Sequence, residues 1–159
     1  MKRLRPIQDD DRDFLRDLYR STREEEMAQT PWSEAEKAQF IEFQFAAQHD
    51  HYMEHYPTAQ FDVVEVDGKP AGRLYVDRRK DEIRLIDTAL MPQFRNRGIG
   101  GELLNDLINE SESSGKPLSI HVEHMNPAMR LYKRLGFEKI SEYGIYHLME
   151  RRCGQALDA

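Results

Sequence analysis

The chain carries a single cysteine, Cys153, which excludes an intrachain disulfide framework. It has no excess of positive charge. Its 23 Lys and Arg stand against 29 Asp and Glu, and the net charge of −6 argues against a generic nucleic-acid binder. No apolar run approaches the length of a membrane span, and the opening residues hold no signal-peptide core. The expectation is a cytoplasmic protein with no membrane partner. No H-E-x-x-H pattern occurs. His51 and His55 have ligand-like spacing with His49 nearby, but no third ligand is placed by the sequence, so no metal is expected. Repeats, linkers and low-complexity segments are also lacking. A length of 159 residues suits one domain with a sizeable core, expected over residues 1–153, with 154–159 a frayed tail.

What the chain does have is organised around Met91-Pro92-Gln93-Phe94-Arg95-Asn96-Arg97-Gly98-Ile99-Gly100-Gly101-Glu102-Leu103-Leu104. A β-rich run, residues 83–90, precedes it. Apolar residues at Ile99, Leu103, Leu104, Leu107 and Ile108 follow at helical spacing. A strand therefore ends, a short glycine-rich loop carries two arginines, and a helix begins. Such a turn suits a polyphosphate. The first turn of a helix has N–H groups without intrahelical partners and a positive dipole end. Glycines let the backbone approach the ligand, and Arg95 and Arg97 add charge. The spacing is not a P-loop, because no Lys-Ser or Lys-Thr follows Gly100 or Gly101. It is not the dinucleotide fingerprint either, because Leu103 stands where the third glycine belongs.

Read as R-x-x-G-x-G, the loop Arg95-x-x-Gly98-x-Gly100 resembles the pyrophosphate-binding signature of the GNAT superfamily of acyl-CoA N-acetyltransferases. A second stretch, Asn126-Pro127-Ala128-Met129-Arg130-Leu131-Tyr132-Lys133-Arg134-Leu135-Gly136-Phe137, resembles the other signature, N-x-A-x-x-L-Y-x-x-x-G-F. Its residues alone read as one short helix, with Asn126 as N-cap, Pro127 in the first turn and Gly136 as a left-handed C-cap. The resemblance covers roughly residues 60–150. One departure is Asn96, where many members have glycine.

Around these stretches, Lys2 to Pro6 reads as an edge strand. Asp9-Asp10-Asp11 offers a cap to a helix carrying Phe14, Leu15, Leu18 and Tyr19. Ser33-Glu34-Ala35-Glu36 reads as a capping box that opens a helix through about Tyr52. Asp67-Gly68 joins two strands, Phe61–Val66 and Ala71–Asp77. Leu118 to Glu123 alternates as a strand, and residues 137–141 and 145–149 form a closing pair. The order is β-α-α-β-β-β-α-β-α-β-β. The resemblance implies an α/β (α+β) fold with a mixed, mostly antiparallel seven-stranded sheet, and a splayed gap that admits the pantetheine arm.

The resemblance also implies direct transfer of an acetyl group from acetyl-CoA to an amine. An alkyl ammonium of pKa near 10.4 is only about one part in a few thousand neutral at pH 7, a handicap of roughly 4–5 kcal/mol. A base or a pKa-lowering pocket is therefore required. The family's oxyanion donor is a backbone N–H on the central strand, which maps near Leu90, beside Ala89. Tyr132 takes the place of the signature tyrosine and is the candidate acid for the leaving thiolate. The candidate base stays open between Glu123 and Asp87, and a water relay replaces either. The cofactor-binding set implied is Ala89, Leu90, Arg95, Asn96, Arg97, Gly98, Ile99, Gly100, Gly101, Asn126 and Tyr132.

For the acceptor, Trp32, Arg73 and Tyr75 are candidates. Arg73 either holds an acceptor carboxylate or forms a surface salt bridge. The expected partner is a small-molecule amine. A protein N-terminus or lysine, and a non-catalytic acyl-CoA-binding module, are the alternatives. Many members pair as homodimers, and nothing in this sequence decides that.

Overall fold

The computed structural model describes residues 1–154; the remainder of the expected tail, 155–159, lies outside the described residues. Seven strands form one sheet: β1 (Lys2–Pro6), β2 (Gln60–Val66), β3 (Lys69–Arg78), β4 (Ile83–Leu90), β5 (Leu118–Glu123), β6 (Glu138–Tyr143) and β7 (Tyr146–Arg151). Their order is β1-β2-β3-β4-β5-β7-β6, and the sheet is mixed and mostly antiparallel, with β4 and β5 the parallel pair. Among the described residues five α-helices accompany it: α1 (Arg12–Ser21), α2 (Glu24–Ala28), α3 (Glu34–His55), α4 (Ile99–Ser114) and α5 (Met129–Arg134). The chain divides into two compact units: Met1–Tyr75 with Thr88–Gly100, and Val76–Asp87 with residues from Gly101 on.

In the first unit, β1 lies at the sheet edge and pairs antiparallel with β2 from Lys2–Val66 to Pro6–Asp62. Leu15, Leu18 and Tyr19 face inward from α1 at i, i+3, i+4 spacing and are buried. Leu15 and Tyr19 pack with Met27, Ile41 and Phe45. No aspartate side chain caps α1 itself. In the 3-10 turn Asp9–Asp11 that leads into it, the Asp11 carboxylate accepts from the Gln8 N–H at 2.7 Å in a capping box, and from Arg5 at 2.8 Å, and Arg5 holds it below the usual carboxylate range. The capping box of α3 is present: Ser33 Oγ accepts from Glu36 N–H and Glu36 accepts from Ser33 N–H. The short helix α2 was not expected, because it buries only Met27 and one apolar side chain gives no periodicity.

In the second unit, Leu103, Leu104, Leu107 and Ile108 of α4 are buried. β5 pairs with β7 over six residues, and β6 is the outer strand, exposed at every position. The ladder between β4 and β5 is short. It joins Ile83–Leu118, Arg84–Ser119 and Leu85–Ile120, although β4 runs on to Leu90 and β5 to Glu123. α5 is shorter than expected and starts at Met129. Asn126 is not its N-cap: its Oδ1 accepts from the Ala128 N–H at 2.8 Å and closes a turn ahead of the helix.

Candidate functional site

In the first unit, β4 ends at Leu90, a single 3-10 turn covers Pro92–Phe94, and α4 begins at Ile99. Phe94 is buried and anchors the turn. Between turn and helix the chain twice enters the left-handed region, at Asn96 (φ 61) and Gly98 (φ 80). Asn is among the few non-glycine residues that tolerate this conformation, which explains how Asn96 stands where many relatives of the signature have glycine. A Cβ added at Gly98 or Gly101 would meet nothing within 4 Å, and at Gly100 it would meet only Leu90 Cδ1 at 3.8 Å. The side-chain positions of Gly98 and Gly101 are therefore open, and the first turn of α4 leaves N–H groups without intrahelical partners.

The two arginines are placed differently from what their charge suggests. Arg95 Nε donates to the Leu90 carbonyl at 2.9 Å and its Nη2 to Ser21 Oγ at 3.3 Å. The Arg97 guanidinium stacks over Phe94, 5.4 Å from the ring centre. Ala89 and Leu90 are half-buried. Behind them lies Gly72. A Cβ there would sit 2.2 Å from the Ala89 carbonyl oxygen and 2.8 Å from Leu90 Cδ2. Met91 N–H donates to the Ala71 carbonyl at 2.8 Å. No periodic pattern signals a glycine of this kind.

Of the acceptor candidates, the structure brings Arg73 and Tyr75 together. The Arg73 guanidinium lies 5.0 Å from the Tyr75 ring and donates to Gln48 Oε1 of α3 at 2.9 Å. Arg73 is only 4% exposed, so it does not lie on the surface. Tyr75 is fully buried, edge-on to Phe61 and Tyr52. Trp32 packs on Phe40 with 5.1 Å between ring centres and keeps 37% of its surface exposed. Burial lowers the His49 pKa, and the nearby Arg12 adds to this. His51 and His55 stack on each other, and His55 Nδ1 donates to the His51 carbonyl at 3.1 Å. Among the described residues no group of three or more His, Cys, Asp or Glu is gathered to hold a metal ion.

In the second unit, Tyr132 sits in the middle of α5 and is buried. Its position is set by the end of its helix. Phe137 N–H donates to the Tyr132 carbonyl at 3.0 Å and Gly136 N–H to the Lys133 carbonyl at 3.1 Å, with Gly136 at φ 99. This is the Schellman pattern, and its apolar contact is the Phe137 ring edge-on to Tyr132 at 5.8 Å. The Gly-Phe of the second signature thus fixes its tyrosine. Burial pushes the phenol pKa up, and the Asp87 charge pushes it further. Tyr132 accordingly stays protonated at neutral pH.

The two candidate bases are separated. In the β4–β5 register, Asp87 continues the side of Ile83 and Leu85, which is the side of Leu118, Ile120 and Val122. Glu123 continues the side of Arg84 and Ser119. They therefore face opposite sides of the sheet, and Asp87 is the one whose charge reaches Tyr132. Glu123 is half-buried, and its carbonyl accepts from Asn126 N–H at 2.9 Å. Arg130, Lys133 and Arg134 of α5 are exposed.

Comparison with known proteins places this geometry. Residues 13–137 match the acetyltransferase (GNAT) family. An uncharacterised N-acetyltransferase of Methanocaldococcus jannaschii is 35% identical over a stretch covering 50% of this chain, and the chain spans 39% of the length of that curated relative. Among solved structures, the fold resembles the PaiA N-acetyltransferase of Thermoplasma acidophilum in complex with coenzyme A. That likeness has a TM-score of 0.69 and 17% identity, covering 96% of this chain and 99% of the other. It also resembles the ribosomal-protein-S18-alanine N-acetyltransferase of Escherichia coli, with a TM-score of 0.65 and 21% identity over 98% and 96% of the two chains. Since the family match spans both signature stretches and most of the sequence, the chain belongs to the acetyltransferase (GNAT) family.

Proposed function

We propose that this protein transfers an acetyl group from acetyl-CoA directly to a primary amine of a small molecule. The observation that carries the reading is the loop Arg95–Gly101, with left-handed Asn96 and Gly98 and open space over Gly98 and Gly101. That is the shape a backbone cradle for a pyrophosphate requires. When bound, acetyl-CoA supplies an activated thioester. The chain's own part is to hold it and manage charge and protons. The Leu90 N–H serves as oxyanion donor. Tyr132, buried and kept neutral, serves as the acid that protonates the leaving thiolate, and Asn126 adds a cofactor contact. The proton of the amine goes to Asp87, to Glu123 or to a water. Trp32, Arg73 and Tyr75 border the acceptor, and the buried Arg73 favours an amine that also carries a carboxylate.

A second reading has a protein N-terminus as acceptor. The Escherichia coli structural neighbour is by its name an enzyme of that kind. At 21% identity it supports the fold alone. Release of free thiol from acetyl-CoA, measured across a panel of small amines, amino acids and short peptides, separates the two. Turnover with a small amine is the expected result, and turnover confined to peptides would replace it. With the accepted amine, Tyr132→Phe should lower turnover by about 10²–10⁴-fold. A rate within about twofold of wild type would remove Tyr132 from the acid role. Coenzyme A binding without turnover on any amine would favour a binding module.

A further inference from the structure

We propose that Arg95 is a positioning residue: it clamps the Leu90–Met91 peptide at the end of β4 and ties it to the last residue of α1, instead of lending its charge to the pyrophosphate. The proposal rests on the acetyl-transfer reading for its catalytic consequence, but not for the clamp itself.

The geometry is that of a planar fork with two arms in use. Nε donates to the Leu90 carbonyl at 2.9 Å, and Nη2 donates to Ser21 Oγ at 3.3 Å. Ser21 donates its own proton to the Leu18 carbonyl at 2.6 Å, so its oxygen lone pairs are left to accept from Arg95. The Arg95 backbone is fixed as well, its N–H donating to the Pro92 carbonyl at 3.2 Å. The Leu90–Met91 peptide is thereby held at both ends: its carbonyl by Arg95, its N–H by the Ala71 carbonyl at 2.8 Å. The preceding carbonyl, that of Ala89, lies against Gly72, where no Cβ fits. Three contacts thus fix the orientation of the strand end at Leu90.

Along a strand, successive N–H groups point to opposite edges. The Met91 N–H is taken by β3, so the Leu90 N–H points the other way, and the ladder on that edge of β4 ends at Leu85. An N–H that must meet a developing oxyanion gains from being held rigidly, since a misplacement near 1 Å costs up to about 10²-fold in rate. A lysine keeps the charge of Arg95 but lacks the fork that reaches a carbonyl and a hydroxyl in two directions. Charge and positioning therefore make opposite demands on the conservative variant.

The test compares the wild-type chain with Arg95→Lys, Arg95→Met and Ser21→Ala. Three readouts are taken: coenzyme A affinity by calorimetry at low and high salt, amide hydrogen exchange at Met91 without ligand, and thiol release across a range of acetyl-CoA concentrations up to saturation. Met149 in β7 serves as the reference for global opening. The clamp predicts coenzyme A affinity within about twofold of wild type in all three variants. It predicts Met91 exchange faster by about tenfold in both Arg95 variants, and by less in Ser21→Ala. Turnover should fall about tenfold in both Arg95 variants, with KM for acetyl-CoA unchanged. Affinity lost tenfold or more in Arg95→Met and restored in Arg95→Lys would overturn the proposal in favour of a charge role. Unchanged Met91 exchange would overturn it too. If wild type binds no coenzyme A, the acetyl-transfer reading falls, and Met91 exchange alone still decides whether Arg95 holds the peptide.

Discussion

Gly72 and Gly101 have the same side chain and opposite surroundings. At Gly101 an added Cβ would stand in open space; at Gly72 it would be driven into the Ala89 carbonyl. The first belongs to the loop proposed above to hold the cofactor. The second lets two strands of the protein's own sheet approach each other. A glycine kept for a ligand has empty volume beside it, and one kept for packing has backbone. The loop glycines were readable because their spacing resembles a known motif. Gly72 was not, because what it accommodates is a strand some seventeen positions away.

The comparison is sharpest at Gly72 itself. Gly72→Ala should cost about 3 kcal/mol of stability, since neither backbone carbonyl nor strand can yield as a flexible side chain would. Urea denaturation measures this, and an unchanged midpoint would show that β3 and β4 shift freely there. Next in size is the ligand effect at Gly98. Coenzyme A at about a hundred times Kd should add roughly 2.7 kcal/mol, a melting shift of about 5–10 °C for a domain of this length. Gly98→Trp should abolish that shift, while its own folding cost is limited to about 1–2 kcal/mol of left-handed backbone strain. A full shift in that variant would move the cofactor off the loop.

A smaller contrast is available at Asn96. Asn96→Val forces a β-branched residue to φ near 61 and should cost about 1–2 kcal/mol, whereas Asn96→Gly should leave the melting temperature nearly unchanged. Equal effects of the two would mean the loop relaxes out of the left-handed region. The smallest expected change has the opposite sign. Gly101→Ala, in the first turn of α4 with nothing beside it, should stabilise the unliganded protein by about 0.5–1 kcal/mol. If the backbone at Gly101 is approached by phosphate, the same methyl should weaken coenzyme A binding. A gain in stability with no loss of binding would confine the contact to Gly98 and Gly100.

The order of elements was legible because strands and helices announce themselves by period, and turns by Asp67-Gly68, the Ser33–Glu36 capping box and Gly136. What was missed shares one cause. α2 holds one buried side chain and no repeat. Asp11 caps the 3-10 turn ahead of α1 and also holds Arg5, a partner its spacing does not announce. Asn126 looked like an N-cap and closes a turn instead. Arg73 could be read as a surface residue because Gln48, which it meets, lies 25 residues away. Around the candidate site, the turn between β4 and α4 and the short helix that carries Tyr132 followed from spacing. The orientation of Arg95, and the sidedness of Asp87 against Glu123, did not.

By itself the sequence determined the succession of elements, the glycine-rich turn into α4 and the helix end that fixes Tyr132, because each is a short-range consequence of backbone sterics and hydrogen bonding. Tertiary structure decided the rest. It closed β3 against β4 at Gly72, turned Arg95 back onto Leu90 and Ser21, buried Arg73, and set Asp87 and Glu123 on opposite sides of the sheet. Those outcomes depend on which distant groups compete for the same donor, acceptor or volume, and that competition is settled only when the strands pair.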